Sequence, residues 1–545
     1  MATFEQKVRE ELAKVVNAGN AKGEFALYGN FKDDTKQFVE YGEAQPGVPY
    51  NKNTIIRYAS QSKLLGSIIT AKAIEDGLLN LTDRVSKYLI EFKKPLQYYL
   101  ENGEVSLETY DGNELTVAHL LSMSAGFGYQ FIWWGNLYNA TLYGEGTTPD
   151  TYAKANKARA IKIEEQLVAR GLFGDEQFDT RINKAYQTNP NFKLPSWKKY
   201  IAMLTEVPLL FRPGTNSNRE VCYAMDYDIL GAVVDRAVIL GGAGTGVWDY
   251  FKRKFLVPMN AKSIFQLGNP DKPKCLKKRL AETAFKRPLN NLQLDGSQFA
   301  PDPSLAYLAT NNQTTLRWTS EFPDDGFHYN EVLFTDVLLE NAEYRGGFGA
   351  SFAGTPYDYT KFLGLIFNKG MYKCERLISE TSISLVVTPS LPEYISFGLW
   401  LLNRPPFPLL PVTNFNSTLI TLPLPTIPPK AGTESLLAIG YMDNWCAGCA
   451  TGNSAFVDAL YNDFTQFTDT CLRWGSYYQT NYFLDWQTGN YVIAGTQIDA
   501  NSFGGSPGTG DIATNIFKWL QNGELNKEGD DCHCKPSPCG TRQCY

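Results

Sequence analysis

The chain has 545 residues, of which 43% are hydrophobic, 20% charged and 13% aromatic, a composition that buries a sizeable core and excludes disordered, fibrous and coiled-coil chains. Its 51 Lys and Arg against 57 Asp and Glu give a net charge of −6, so no cationic surplus exists to neutralise a phosphate backbone, and nucleic acid is not an expected partner. No apolar run reaches the ~18 residues that span a bilayer, so no membrane span is expected.

The first residues, Met1 to Lys7, lack the basic stretch and apolar core of a secretory signal, which predicts a cytoplasmic protein unless the chain is a processed secreted form. Phe4, Val8, Leu12, Val15 and Val16 recur at helical spacing and Gly19 follows as a stop, predicting an amphipathic helix. Residues 24–29 and 37–42 are β-prone and flank the turn-forming Lys32, Asp33 and Asp34, which predicts a hairpin. Between Ser60 and Glu75, Leu64, Leu65, Ile68, Ile69, Ala71 and Ile74 predict a largely buried helix, with Gly77 placed to cap it. Helical periodicity returns at 117–121, 227–234 and 248–255, so helices are expected to dominate residues 60–380. The Pro-rich stretch 402–429 suits a surface insertion. A second hairpin is predicted from 481–486 and 491–498 around Gln487-Thr488-Gly489-Asn490, and 512–520 reads as a closing helix. Strands at both ends with helices between them predict one sheet completed by both ends of the chain. The expected division is a sheet domain from 1–58 plus 385–525, a mostly helical domain from 59–384, and a Cys-rich tail from 526–545.

Ten cysteines are ordinary for this length, but Cys532, Cys534, Cys539 and Cys544 crowd the tail. Cys446-x-x-Cys449 could complete a zinc site with a tail pair; tail disulfides explain the spacing better, free thiols come next and metal last, so no metal is assigned.

With three histidines, His119, His328 and His533, a Ser-His-Asp triad has few places to form. His119 lies within an apolar helical stretch and reads as structural; His533 sits among the tail cysteines. Gly504-Gly505-Ser506-Pro507-Gly508 matches the Gly-x-Ser-x-Gly elbow, yet Pro507 has no N–H to offer an oxyanion. A serine can instead be activated by a lysine one helical turn away. Ser60-Gln61-Ser62-Lys63 supplies that pair on one helix face, beside the backbone donors of a helix start. Taken singly the pattern has little weight, because Ser196-Trp197-Lys198-Lys199 matches it too. The glycine-rich run 241–246 lacks a phosphate-binding lysine and reads as a turn between helices. Asn139, Asn312 and Asn416 head glycosylation sequons that matter only in a secreted chain.

The surroundings of the first serine–lysine pair add weight. Ile55-Ile56-Arg57-Tyr58-Ala59-Ser60-Gln61-Ser62-Lys63, then Asp76-Gly77-Leu78-Leu79-Asn80-Leu81-Thr82-Asp83-Arg84-Val85, closely resembles the serine β-lactamase-related family, which includes class C β-lactamase-like carboxylesterases and penicillin-binding-protein-like hydrolases. Further blocks follow in the family's order: His119-Leu120-Leu121 with Ser124-Ala125-Gly126, Pro213-Gly214-Thr215, and Tyr223-Ala224-Met225 through Gly231. The resemblance runs from about 55 to 500, with insertions near 130–205, 262–340 and 400–470.

The resemblance implies an α+β, β-lactamase/transpeptidase-like fold: a central, mainly antiparallel sheet flanked by helices, with an inserted mostly helical domain. It implies that Ser60 is the acylated nucleophile, Lys63 its activating partner and Tyr223 a second base, with Tyr227 as the alternative position. Trp474-Gly475-Ser476-Tyr477 resembles the family's Trp-Gly-Gly strand, so the backbone N–H groups of Tyr477 and Ser60 would form the oxyanion hole. Trp474, Gly475, Ser476 and Met225 would then line the substrate. No Lys-Thr-Gly occurs, and Met225 replaces the family's amide side chain, so neutral small-molecule esters are favoured over β-lactams or peptides. The expected function is ester hydrolysis through an acyl-enzyme on Ser60, without cofactor. An acyltransferase using the same residues is the nearest alternative, and a non-catalytic assembly or scaffold protein on this fold the second. The oligomeric state is not legible.

Overall fold

The computed structural model describes residues 3–99, 105–111, 115–123, 125–127, 201, 205, 209, 226–266, 278–285, 316–318, 347–387, 395–396, 399–402, 412–413, 419–420, 471–476, 478–498 and 509–525. Cys446, Cys449, the tail cysteines, His328, Ser196 and Ser506 lie outside them.

Helix α1 (Phe4–Asn17) starts at a capping box in which Thr3 accepts the Gln6 N–H while the Gln6 side chain accepts the Thr3 N–H. Phe4, Val8, Leu12 and Val15 form its buried stripe. Strands β1 (Gly23–Asn30) and β2 (Thr35–Gln45) make the expected hairpin, closed through Asp34 at φ +53°. A short edge strand, β3 (Val48–Pro49), follows, then β4 (Ile56–Arg57) and helix α2 (Ser62–Glu75). Helix α2 ends where Gly77 adopts φ +72° and its N–H bonds to the Ile74 carbonyl.

The middle of the chain contributes α3 (Val117–Leu121), α4 (Asp226–Leu240), β5 (Phe265–Gln266), β6 (Phe352–Gly354), α5 (Pro356–Phe367) and α6 (Glu380–Val387). The glycine-rich residues 241–246 link α4 to a short helix at Val247–Phe251, with the Val247 N–H on the Asp235 carboxylate at 2.8 Å, so this run is the helix-to-helix turn expected of it. The end of the chain adds β7 (Ile395–Ser396), β8 (Leu399–Leu402), β9 (Cys471–Gly475), β10 (Thr480–Asp485), β11 (Asn490–Gly495) and helix α7 (Thr509–Gln521). Cys374, in the turn after Tyr372, is disulfide-bonded.

Eight strands form one sheet in the order β7-β8-β9-β10-β11-β1-β2-β3, every pairing in it antiparallel. The first strand of the chain thus pairs with the last, Leu27 opposite Ile493, as strands at both ends predicted. Alternation along β1 sorts two cores. Phe25 and Leu27 join a large core with α2, α4 and α5, while Ala26 and Tyr28 join a second core with α1 and α7. A three-stranded sheet, β4-β6-β5, carries the chain into the turn before α2.

Candidate active site

The turn Ala59–Gln61 is a single turn of 3₁₀ helix that runs directly into α2. Ala59 sits at φ +43°, a left-handed conformation that costs an L-residue roughly 1–2 kcal/mol, and such strain persists only where the surroundings over-determine it. They do so here. The Tyr58 N–H donates to the Phe352 carbonyl at 3.0 Å, and the Tyr58 hydroxyl to the Thr355 carbonyl at 2.9 Å. The Tyr359 hydroxyl donates to the Gln61 carbonyl at 3.0 Å, and the Phe352 N–H to Ser62 Oγ at 3.0 Å. From the large sheet, Gln61 Nε2 donates to the Thr480 carbonyl at 3.1 Å, and Gln497 Oε1 accepts the Arg57 N–H at 2.9 Å. Ser60 is therefore held at the start of a long buried helix by elements from both halves of the molecule.

Exposure distinguishes the two members of the Ser-x-x-Lys pair. Ser60 retains 9% of its surface, whereas Lys63, one turn further along, retains none. A buried ammonium is costly, and burial pulls the Lys63 amine down to about 7, opposed by the carboxylates of Asp228 and Asp226. Its Nζ donates to the Gly349 carbonyl at 2.9 Å. Both acids are buried in the first turn of α4. Burial raises the Asp228 carboxyl, which Lys63 and the Gly349 N–H pull back down, the latter at 3.0 Å from Oδ1. Burial likewise raises Asp226.

The end of β9 lies against the Ala59–Gln61 turn. Trp474 and Gly475 pair with Tyr482 and Asn481 on β10, and Trp474 is enclosed in the large core. Ser476 follows, its Oγ accepting the Tyr478 N–H at 3.2 Å in a tight turn that passes through Gln479 at φ +62°. The strand segment chosen from sequence and the Ser60 turn are thus neighbours. Tyr477, Tyr223 and Met225 lie outside the described residues. Tyr227 is described: its hydroxyl lies 2.8 Å from Ser67 Oγ and 3.2 Å from the Leu121 carbonyl. Ser67 stands two turns beyond Ser60, roughly 10 Å along the axis, and through these bonds Tyr227 ties α4 to α2 and α3. His119 completes the capping box of α3, its Nδ1 accepting the Thr116 N–H at 3.2 Å, and burial lowers it to about 4, a neutral structural ring.

Ala59, Asp228 and Gly349 belong to this constellation and were not singled out from sequence. Two acids, Asp226 and Asp228, buried in the first turn of a mostly apolar helix were the available signal for one of them. Nothing local marks Ala59 or Gly349.

Residues 12–368 match the family model described as Beta-lactamase. The chain belongs to the Beta-lactamase family. Among curated proteins it is similar to the acyltransferase calJ of Penicillium decumbens, with 32% identity over 93 residues, which are 17% of this chain and 22% of that protein. The match therefore spans about a fifth of that relative's length. Among solved structures it is similar to unliganded simvastatin synthase (LovD) from Aspergillus terreus, with 14% identity, a TM-score of 0.55, and coverage of 96% of this chain and 99% of that one. It is also similar to EstCE1, a hydrolase with promiscuous acyltransferase activity, with 15% identity, a TM-score of 0.53, and coverage of 94% and 98%. At these identities the likeness is one of fold, and the β-lactamase/transpeptidase-like fold expected from the sequence is the one observed.

Proposed function

We propose that the chain is a serine acyl-transfer enzyme that cleaves neutral esters through an acyl-enzyme on Ser60. The observation that carries this reading is the wholly buried Lys63, its amine lowered to about 7 and held on the Gly349 carbonyl one turn from a partly exposed serine. A neutral amine in that position is the base that a serine hydroxyl lacks when no histidine is at hand. Ser60 Oγ attacks the ester carbonyl while its proton passes to Lys63. The tetrahedral oxyanion is received by backbone N–H groups, for which Ser60 and Tyr477 are the proposed donors. Collapse breaks the ester C–O bond, and the departing alkoxide takes a proton, relayed in this reading through Tyr223. Water then attacks the acyl-enzyme as its proton passes to the base, the bond between Ser60 Oγ and the acyl carbon breaks, and the base hands that proton to Ser60 Oγ, releasing the acid. Trp474, Gly475, Ser476 and Met225 would border the substrate where β9 meets the Ser60 turn, between a sheet domain of 1–58 plus 385–525 and a helical domain of 59–384.

A second reading replaces water by an alcohol, making the enzyme an acyltransferase. The similarity to calJ and LovD, both described as acyl-transferring or synthase proteins, favours keeping it. A fluorophosphonate probe followed by peptide mapping tests the common step. The expected result is one adduct on Ser60 that vanishes in Ser60→Ala. An adduct on another serine sinks the assignment, and a folded protein that takes no adduct favours a non-catalytic scaffold. Supplying an alcohol during turnover of a p-nitrophenyl ester then separates the two readings by whether acid or new ester accumulates.

A further inference from the structure

Gly349 is gripped at both of its backbone polar groups. Its carbonyl accepts from Lys63 Nζ at 2.9 Å, and its N–H donates to Asp228 Oδ1 at 3.0 Å. The grip leaves no room for a side chain: a Cβ at this position would meet Asp228 Oδ1 at 2.7 Å and its Cγ at 3.1 Å. The neighbouring residues are fastened in the same direction. The Phe348 N–H donates to the Tyr227 carbonyl on α4 at 3.0 Å, and Phe352 N–H to Ser62 Oγ on α2 at 3.0 Å. Through the two peptide groups that flank it, Gly349 therefore bridges an acid on α4 and an amine on α2, of which Lys63 is wholly enclosed and Asp228 retains 9% of its surface.

We propose that Asp228 is a positioning residue for Lys63: through Gly349 it fixes the carbonyl that aims the amine, and it supplies the nearby negative charge that decides when the amine holds its proton. The inference rests on the reading of Lys63 as the base for Ser60. Among the described residues, the charged groups acting on the Lys63 amine include Asp228 and Asp226, both on α4; from the 347–351 segment it meets the Gly349 carbonyl. Asp228 is set apart from Asp226 by its bond to the N–H of Gly349, the residue whose carbonyl Lys63 grips. A carboxylate left with a purely structural task would hold Gly349 but have no bearing on when Lys63 titrates.

The test reads Lys63 directly, in full-length protein labelled at the lysine side chain, with its NMR signal assigned from Lys63→Arg. In Asp228→Asn the acceptor for Gly349 survives and the charge does not, so the midpoint of Lys63 falls by about one pH unit, the effect expected of an opposite charge within ~4–6 Å. Asp228→Glu, which keeps the charge, leaves the midpoint near that of the wild type. An unchanged midpoint in a folded Asp228→Asn protein overturns the proposal. If that variant does not fold, the wild type decides: the Lys63 signal shows a second, smaller inflection where Asp228 ionises, and a single inflection overturns the proposal. Because the readout needs no catalysis, a wild type that fails to take a probe at Ser60 removes the functional reading while the Asp228–Lys63 linkage is still measured.

Discussion

On the proposed reading, Lys63 is costly to the fold and useful to the chemistry at once. Desolvation removes much of the preference of its amine for the charged form, and the nearby acids restore part of it, leaving the amine near neutrality instead of at its ordinary 10.5. Because the folded-state value is depressed, the reactive neutral amine is lost as pH falls through about 7 and is fully present above it. The rate of probe attachment at Ser60 is therefore expected to rise about tenfold per pH unit below 7 and to level off above about 8. A profile that is flat from pH 5 to 9 would rule out Lys63 as the base. Lys63→Arg keeps a cation but cannot give up its proton, so it is expected to fold and to lose at least ~10²-fold in that rate, as measured by quantitative labelling beside a thermal melt. The Ser-x-x-Lys spacing was readable from sequence because i and i+3 share a helix face. Its second occurrence at Ser196 shows why spacing alone could not finish the argument; the structure adds that Lys63 is wholly buried.

At the scale of elements, α2 is a helix whose interior contains a glycine for a packing reason. Gly66 would carry a Cβ only 2.6 Å from Cβ and Cγ of Phe348, so the helix and the 347–352 segment meet at backbone distance. Alanine favours an isolated helix by roughly 0.5–1 kcal/mol over glycine. Here the clash dominates, and Gly66→Ala is expected to destabilise the protein by about 1–3 kcal/mol in denaturant melts. A gain in stability would show that Phe348 yields and that this contact does not hold Gly349 in place. Periodicity made α1 and α7 legible, since each buries a regular stripe, apolar content marked α2 and α4 as largely buried helices, and turn chemistry made both hairpins legible. The 3₁₀ turn at Ala59–Gln61 was not, because nothing in Tyr-Ala-Ser-Gln demands a left-handed alanine. The conformation is imposed by bonds to Phe352, Tyr359 and Thr480, each hundreds of residues away in sequence. The short strands of the β4-β6-β5 sheet escaped notice for a related reason: two or three residues are too few for an alternating pattern to register.

For the whole molecule, the decisive feature is that strands from the two ends of the chain lie side by side. Helices α1 and α7 close the face of the sheet away from the active site, and Lys7 of α1 pairs with Glu524 at 2.5 Å while lying over the Trp519 ring. Phe517, fully buried, stacks on Phe483 of β10 with ring centroids 5.0 Å apart. Phe517→Ala is expected to cost about 3–5 kcal/mol in global stability and to lower the thermal midpoint. Because this packing supports the sheet from behind, probe labelling at temperatures below the melt should be nearly unchanged; a large loss of labelling without loss of fold would mean that α7 contributes to the site. The shared sheet was foreseeable from strand patterns at both ends. Its strand order was not, since pairing across more than four hundred residues leaves no local trace.

The bonds from Thr480 and Gln497 that brace the Ser60 turn have a further consequence during synthesis. Ser60 leaves the ribosome well before those partners, which follow more than four hundred residues later, on the order of a minute at ~5–20 residues per second. Throughout that interval the Ser60 turn lacks the bonds that shape it, so on the proposed reading a chain that stops short of Thr480 is expected to take no probe at Ser60.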